Sequence, residues 1–395
     1  MYSLKELYKI GNGPSSSHTM GPKKACLYFL SKYPNLKSYE VILYGSLALT
    51  GKGHLTDKII EKTLPEAKIT FDYKTKTKHP NTLVIKGYDE DNNCYEDTFY
   101  SVGGGIIQIE GVKEEEKKEI YKENSFASIK DYLLKNSLSL VDYVNKHEDL
   151  DSYLTECLKV MRDALKEGLN KDGVLPGKLK VKRNARTLYF AKSFDDRNKL
   201  MSYAYAVSEE NAAGGVVVTT PTCGACGVLP AVIFYLKDKC KTTLQEEIDG
   251  LKVAGIIGNL VSYNASISGA YAGCQAEVGT ATSMAASYAA FILSHNLTSI
   301  ERAAEIALEH NLGLTCDPVG GYVQIPCIER NVMGALRALD AASLAICINP
   351  SNAKISFDTV VSTMLETGRS LPRSLKETSK GGLAKIYTEA KDENR

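Results

Sequence analysis

The strongest constraint on the fold is a change of residue pattern along the chain. The N-terminal part contains short runs rich in β-branched and aromatic residues, EVILYGSLAL, AKITFDYK, NTLVIKGY and CYEDTFYSV, with polar DEDNN between the last two. Such runs indicate strands, and DEDNN indicates a hairpin turn. After Ser202, long stretches of Ala, Gly, Ser and Leu recur at helical spacing. We therefore predict an α+β domain over residues 1–150 and a mostly all-α domain over residues 151–395.

Local signals mark where some C-terminal helices begin. Thr298 and Glu301 form a capping-box pattern before IERAAEIALEHNLG, and Ser356 can cap FDTVVSTMLETG. Both patterns predict a helix start at the capping residue.

Length and charge exclude several classes of protein. A chain of 395 residues favours two domains, and a net charge of +1 offers no basic field for nucleic acid or for a membrane surface. The most apolar segment, GLKVAGIIGNLVSYNASISGAYAG, is interrupted by Lys252, Asn259 and Asn264, so it predicts a buried helix and no membrane span. The N-terminus lacks the apolar run of a secretory signal, and we expect a cytoplasmic protein.

Ten cysteines in a reducing compartment indicate metal binding, catalysis or burial more than disulfides. Cys223 and Cys226 form a C-x-x-C pair, which fits a redox pair or half a zinc site, although the chain has no second C-x-x-C and such a pair is more often structural. Cys274, Cys316 and Cys327 each lie among glycines or prolines. Three thiolates can hold a 4Fe-4S cluster and leave one iron without a protein ligand. Spacing alone leaves a disulfide, a zinc ion and a packed core open.

A hydroxyl-rich segment directly precedes a predicted helix. GPSSSHTMGP places Ser15, Ser16, Ser17, His18 and Thr19 before a helix with Pro22 in its first turn. Free N–H groups and the helix dipole favour an anion there, and an imidazole titrates near neutral pH. The alternative is a serine-rich cap on a surface helix.

The loop GSLALTGKGHLTD carries His54, which fits a site residue or an ordinary loop histidine. It is not a phosphate loop, because Gly53 follows Lys52 where that motif requires Ser or Thr. His79, in KHPNTL, is a weaker candidate.

Nine motifs together carry a resemblance over nearly the whole chain. GPSSSHTMGP, YGSLALTGKGHLTD, SVGGG, EGLNKDGVLPG, SEENAAGG, PTCGACG, NASISGAYAGCQAEVG, EHNLGLTCDPVGGYVQIPCIERN and ETSKGGLA appear in this order. The sequence thereby resembles the iron-sulfur-dependent bacterial L-serine dehydratases, in the single-chain form with fused beta-type and alpha-type domains. The resemblance implies an N-terminal domain similar to the serine-binding regulatory domain of phosphoglycerate dehydrogenases, followed by an all-α catalytic domain.

The resemblance also implies a chemistry. Water is eliminated from L-serine to give pyruvate and ammonia, without pyridoxal phosphate, at a 4Fe-4S cluster with one open iron. The ligands implied are Cys274, Cys316 and Cys327. His18 and His54 become candidates for proton transfer or for orienting the substrate. The candidates for binding the substrate are Ser15, Ser16, Ser17, Thr19 and Thr222.

Two departures from the family pattern matter. Family members commonly carry a cysteine shortly after GGLA, whereas KIYTEAKDENR follows here, so self-inhibition by a tail thiol is expected to be lost. Cys223 stands where related chains often have another residue, and we do not count it as a ligand. A homodimer is compatible with the family.

Two other functions stay open at this point. The first is an iron-sulfur dehydratase of another small hydroxy acid or amino acid. The second is a serine-responsive sensor or a redox protein without turnover. A redox carrier is expected to have four cysteine ligands, and only three cysteines have a suitable context.

Overall fold

The computed structural model describes residues 1–113, 118–192, 196–348 and 353–393. Up to residue 147 the elements are β1 (Ile10–Asn12), α1 (Gly21–Lys32), β2 (Ser38–Tyr44), α2 (Gly45–Thr50), α3 (Thr56–Thr63), β3 (Lys68–Asp72), β4 (Thr82–Tyr88), β5 (Cys94–Gly103), β6 (Ile106–Ile109), α4 (Phe126–Asn136) and α5 (Leu140–His147). The remainder comprises α6 (Asp151–Asn170), α7 (Ala185–Phe190), α8 (Arg197–Ala212), β7 (Val216–Val218), α9 (Val228–Cys240), α10 (Leu244–Asn264), α11 (Gly269–Ala272), α12 (Thr280–Ser294), α13 (Leu297–Glu309), α14 (Cys327–Cys347), α15 (Phe357–Ser370) and α16 (Gly382–Glu393). The predicted α+β part followed by a mostly helical part is confirmed.

The N-terminal sheet is mixed, with strand order β3-β2-β4-β5-β6. β2 and β3 are parallel, and the other pairs are antiparallel. The predicted hairpin is confirmed, because Tyr88 pairs with Cys94 across the DEDNN turn. α1 and α3 cover the sheet, and Phe29, Val41, Leu83 and Phe99 are fully buried in their shared core.

The helical region is built around α12, which packs against α9, α10, α13 and α14. Small residues let these helices approach closely: a Cβ at Gly250 of α10 would lie 2.4 Å from the ring of Tyr288 in α12. Four hydroxyl groups of α12, those of Thr282, Ser283, Ser287 and Ser294, donate to backbone carbonyls. Ser283 Oγ, for example, donates to the carbonyl of Ala304 at 2.7 Å.

The segment predicted as one buried helix, residues 250–273, is helical in its first part, which belongs to α10; the helix ends at Asn264, and Gly269–Ala272 forms the separate α11. Thr243 and Glu246 form a capping box at the start of α10. The buried Lys252 makes ion pairs with Asp151 at 2.7 Å and with Asp249 at 3.0 Å. Within the described residues, no helix combines the length and apolar character that crossing a membrane requires.

The two predicted caps have different outcomes. Ser356 caps α15, because its side chain accepts a hydrogen bond from Thr359 N. The capping box at Thr298 is wrong: Asn296 caps α13, and its side chain accepts from the amides of Thr298 and Ser299. Asn is at least as good an N-cap as Thr, which explains the earlier start.

The N-terminal segment is fastened to the helical region. β1 pairs with β7 in a separate two-stranded antiparallel ribbon. Leu4, Leu7 and Tyr8 are buried in the helical core, and Tyr8 Oη donates to the carbonyl of Leu251 at 2.8 Å. The residues between β1 and α1 are therefore held against the helical region. The domain boundary near residue 150 stays a prediction.

Candidate active site

A cavity of about 400 Å³ lies between the sheet region and the helical region. The N-terminal part contributes residues 14–18, Ser46, Thr50, His54 and residues 79–81. The helical part contributes residues 222–224, 267–270, Cys274, Glu277, residues 316–318, Cys327, Arg330, Arg373 and residues 376–378. The structure thus brings together, in one cavity, every residue predicted for the site except Thr19.

The serine-rich segment starts a helix, as predicted. Ser15 has an extended backbone and caps a π-helical turn, Ser16–Met20, that continues into α1. Ser15 Oγ accepts a hydrogen bond from His18 N at 3.4 Å. The first amides of this helix have no intrahelical acceptor, which is the arrangement that favours an anion at a helix N-terminus.

His18 is buried, and both of its ring nitrogens have partners. Nδ1 lies 2.9 Å from Ser17 Oγ, and Nε2 lies 2.9 Å from Thr50 Oγ1 and 3.2 Å from Ser46 Oγ. The Thr50 hydroxyl donates to the carbonyl of Ser46 at 2.9 Å, so it can only accept from His18. We therefore assign the neutral tautomer with the proton on Nε2, in which Nδ1 accepts from Ser17.

His54 is also buried, and it stacks on His18 with ring centroids 4.5 Å apart. Its Nδ1 donates to the carbonyl of Thr50 at 3.1 Å, which leaves the lone pair on Nε2. Among the described residues, this Nε2 has no hydrogen-bond partner. Burial lowers the pKa of both histidines, and the charge of His54 lowers the pKa of His18 further. Both imidazoles are therefore neutral at neutral pH.

The three predicted cysteine ligands face the same cavity from different elements. Cys274 and Cys316 are buried, and Cys327 is half-buried at the first residue of α14. Burial raises the pKa of Cys274 to about 11, and it raises the pKa of Cys316 and Cys327 as well. The charges of Cys274 and Cys327 contribute to the rise at Cys316, so the three thiols are electrostatic neighbours. None of the ten cysteines, all within the described residues, forms a disulfide.

The three cysteine thiols suit a cluster better than a single metal ion. In the described part of the chain, no three His, Cys, Asp or Glu side chains are close enough to hold a single metal ion. A 4Fe-4S cluster is larger than one ion, and its thiolates lie around it at separate corners. The backbone leaves space beside them: a Cβ at Gly269 would lie 3.1 Å from Cys316 Sγ. Three soft sulfur donors around one cavity fit a cluster.

The sequence reasoning missed the acidic residues of the cavity, Glu277, Asp317 and Glu377. Glu277 accepts a hydrogen bond from the Thr222 hydroxyl at 2.8 Å, and its other oxygen lies 3.9 Å from Cys316 Sγ. Burial raises the pKa of Glu277; burial and the charge of Glu277 raise the pKa of Glu377 to about 8. Glu277 follows Cys274 by less than one helical turn, and this spacing in GCQAEVG was the available signal.

Basic residues of the cavity were missed as well. Arg330, Arg373 and Lys376 line it. Arg330 follows Cys327 by three positions, so it lies one turn further along α14. Arg373 and Lys376 stand just before the ETSKGGLA motif, where spacing alone gives no signal of a site.

Three further residues considered from the sequence are His79, Thr19 and Cys223. His79 lines the cavity, and its Nδ1 accepts a hydrogen bond from Asn81 N at 3.0 Å. Thr19 is not brought to the cavity, because its hydroxyl donates to the carbonyls of Asn12 and Ser15. Cys223 reaches the cavity wall with its thiol 4.0 Å from the sulfur of Met20.

Comparison with known proteins agrees with the resemblance drawn from the motifs. The family model for the serine dehydratase beta chain matches residues 3–64, and that for the serine dehydratase alpha chain matches residues 73–384. The L-serine dehydratases of Haemophilus influenzae and Helicobacter pylori are each 38% identical to this chain, and 97% of this chain aligns with 99% and 98% of theirs. That of Mycobacterium bovis is 34% identical over 97% of both chains. The chain therefore belongs to the serine dehydratase family, with beta-type and alpha-type regions fused in one polypeptide.

Proposed function

We propose that this protein converts L-serine to pyruvate and ammonia at a 4Fe-4S cluster held by Cys274, Cys316 and Cys327. One observation carries the proposal: the hydroxyl and imidazole groups of the N-terminal part and the three thiols of the helical part line one cavity. Membership of the serine dehydratase family supports the substrate, because the relatives carry the name L-serine dehydratase.

The reaction removes the α-proton and the β-hydroxide of L-serine. The first product is 2-aminoacrylate, and the proton and the hydroxide leave together as water. The enamine tautomerises to an imine, which water hydrolyses to pyruvate and ammonia. Serine has a weakly acidic α-proton and a poor leaving group, so the site must supply a base and an electrophile.

The cluster would supply Lewis acidity at the β-hydroxyl through an iron that no protein side chain ligates. The chain itself would contribute the three thiolates. Each thiol has a raised pKa in this structure, so metal binding would displace the three protons. We expect cluster assembly to be slower at acidic pH for this reason.

His54 is the side chain we propose as the base. Its Nε2 carries a lone pair, faces no hydrogen-bond donor within the described residues and belongs to a neutral ring. The hydrogen bond from Nδ1 to the Thr50 carbonyl fixes the tautomer that has its proton on Nδ1. In this tautomer Nε2 can accept a proton, as a base must.

His18 is proposed to act differently. Both of its nitrogens are engaged, so it is placed to orient Ser17 and Thr50 and to support the ring of His54. The substrate carboxylate would bind the free amides at the start of the Ser16–Met20 turn. Ser16, which also lines the cavity, would add its hydroxyl.

Anaerobic reconstitution tests the proposal directly. The protein is purified without oxygen, loaded with iron and sulfide, and assayed for pyruvate from L-serine, with apo-protein and D-serine as controls. We expect cluster-dependent pyruvate from L-serine alone. A loaded protein that makes no pyruvate would refute the serine assignment, and a panel of small hydroxy acids would then test the related dehydratase activities.

A further inference from the structure

The cysteines proposed as ligands lie on three separate segments. Cys274 directly precedes a π-helical turn, Gln275–Gly279; Cys316 lies in a loop; Cys327 begins α14. The first two segments are joined directly, because Gln275 N donates to the carbonyl of Leu314 at 3.2 Å and Gln275 Oε1 accepts from Gly313 N at 2.9 Å. A cluster also needs a fixed position of the Cys316 loop relative to α14, which a side chain that bridges the two can supply.

One guanidinium group links the Cys316 loop to α14. Arg330 projects from the start of α14. Its Nη1 donates to the carbonyl of Thr315, and its Nη2 lies 3.1 Å from Asp317 Oδ1. Thr315 and Asp317 are the two neighbours of Cys316 in sequence. Arg330 thus fixes both sides of Cys316 to the helix that begins at Cys327.

Asp317 holds the guanidinium in place. It is 3% exposed, so its charge is almost completely removed from water and needs partners. Oδ1 accepts from the Thr315 hydroxyl at 3.0 Å as well as from Arg330. Oδ2 accepts from Leu383 N at 2.8 Å, which ties the GGLA segment to the same network.

The charge of Arg330 suits this position. Three thiolates around a cavity that also contains Glu277 and Glu377 concentrate negative charge. The positive charge of Arg330 lines the same cavity and offsets part of this negative charge. A lysine could supply the charge, but it lacks the planar fork that reaches a carbonyl and a carboxylate at once.

We propose that Arg330, held by Asp317, is a positioning residue that fixes the Cys316 loop to the start of α14 and so sets Cys316 and Cys327 in place for the cluster. The inference rests on the proposed cluster. It assigns to the ERN motif a structural role in holding the metal centre, separate from binding the substrate.

The test compares Arg330→Gln, Arg330→Lys and Asp317→Asn with the unaltered protein after anaerobic reconstitution. Iron and sulfide per chain, the rate of iron loss to a chelator and the midpoint potential are measured. Arg337→Gln is the matched control, because Arg337 is exposed on the same helix and contacts His310.

We expect Arg330→Gln to lose iron about 10- to 100-fold faster, the usual effect of removing a partner behind a metal ligand. Its midpoint potential should fall, because a positive charge that lines the cavity is lost. Arg330→Lys should shift both quantities in the same direction but less. Asp317→Asn should also lose iron faster than the unaltered protein, although less so than Arg330→Gln, and Arg337→Gln should match the unaltered protein.

The outcomes separate the two proposals. An unaltered protein that takes up no cluster refutes the proposed function and this inference with it. If both the unaltered protein and Arg330→Gln take up the cluster, and their iron retention and midpoint potentials are equal, the inference alone is refuted. Circular dichroism of the apo-proteins shows whether Arg330→Gln folds; if it does not, Arg330→Lys decides, and retention equal to that of the unaltered protein refutes the inference.

Discussion

The two walls of the cavity are built from different contacts. On the N-terminal wall, hydroxyl and imidazole groups from two short segments, residues 15–18 and 46–54, join by hydrogen bonds into one network. On the helical wall, the three cysteines come from separate elements, and a single guanidinium on the helix that begins at Cys327 holds both neighbours of Cys316.

The walls also differ in charge. The two histidines are held neutral by burial. The helical wall instead gathers thiols with three carboxyl groups and three basic side chains, those of Glu277, Asp317, Glu377, Arg330, Arg373 and Lys376. The difference fits the division of labour proposed above, in which one wall would move a proton and bind an anion while the other would hold the cluster. The predictions below test that division.

The largest expected effect is on the helical wall. Cys274→Ala, Cys316→Ala and Cys327→Ala should each abolish cluster absorbance and pyruvate formation, because two thiolates cannot hold the cluster at three corners. Absorbance and iron content after reconstitution check this. Cys223→Ala is the control: its thiol contacts Met20, and the variant should retain both properties. Retained activity in any of the first three would remove that cysteine from the ligand set.

The next effect concerns the base. His54→Gln should leave the cluster absorbance unchanged and lower kcat by about 10²- to 10⁴-fold, the usual contribution of a general base. His147→Gln is a matched control, because His147 Nδ1 also bonds the carbonyl four residues earlier, that of Tyr143 at 2.8 Å, but His147 does not line the cavity. Equal kcat in the two variants would contradict the role of His54.

A smaller effect is expected at His18. His18→Gln should keep the cluster, raise KM for L-serine and lower kcat/KM by about 10- to 100-fold, because unpairing buried partners costs roughly 1–3 kcal/mol. Separate values of kcat and KM, with cluster absorbance, check this. Kinetic constants equal to those of the unaltered protein would remove His18 from the site.

The smallest effect concerns stability. Both histidines have a lowered pKa in the folded protein and the ordinary value of about 6.5 in the unfolded chain. Below that pH the unfolded chain binds protons that the folded protein does not, so the free energy of unfolding should fall as pH decreases. Urea unfolding at about pH 7.5 and about pH 5.5 measures the fall. The double variant His18→Gln/His54→Gln should show a smaller decrease in the free energy of unfolding between these two pH values. An equal decrease would mean that other groups cause it.

Local sequence signals predicted much of the fold. The hairpin around DEDNN and the α10 helix follow from residue type and periodicity over a few turns. The start of α13 was misplaced, because two good cap residues lie two positions apart and the choice between them depends on packing. The pairing of β1 with β7 joins distant segments, and no local pattern indicates it.

For the site as well, local sequence signals do not predict contacts between distant segments. The serine cluster and the cysteines stand out by residue type, so the sequence alone is enough to single them out. Glu277 and Arg330 do not stand out, because acidic and basic residues on helices usually face solvent. Their partners come from other segments of the chain: Thr222 and Cys316 for Glu277, and Thr315 and Asp317 for Arg330. The engagement of both His18 nitrogens likewise depends on Ser46 and Thr50, which a loop conformation brings to it.

The ribbon of β1 and β7 has a consequence for how the protein is made. Ile10 emerges from the ribosome early, but its partner Val218 is about 200 positions later. At roughly 5–20 residues per second, the partner follows after about 10 to 40 s. During this interval the serine-rich turn next to β1 has no helical wall to dock on. The catalytic cavity can therefore close only when more than half of the chain has been translated.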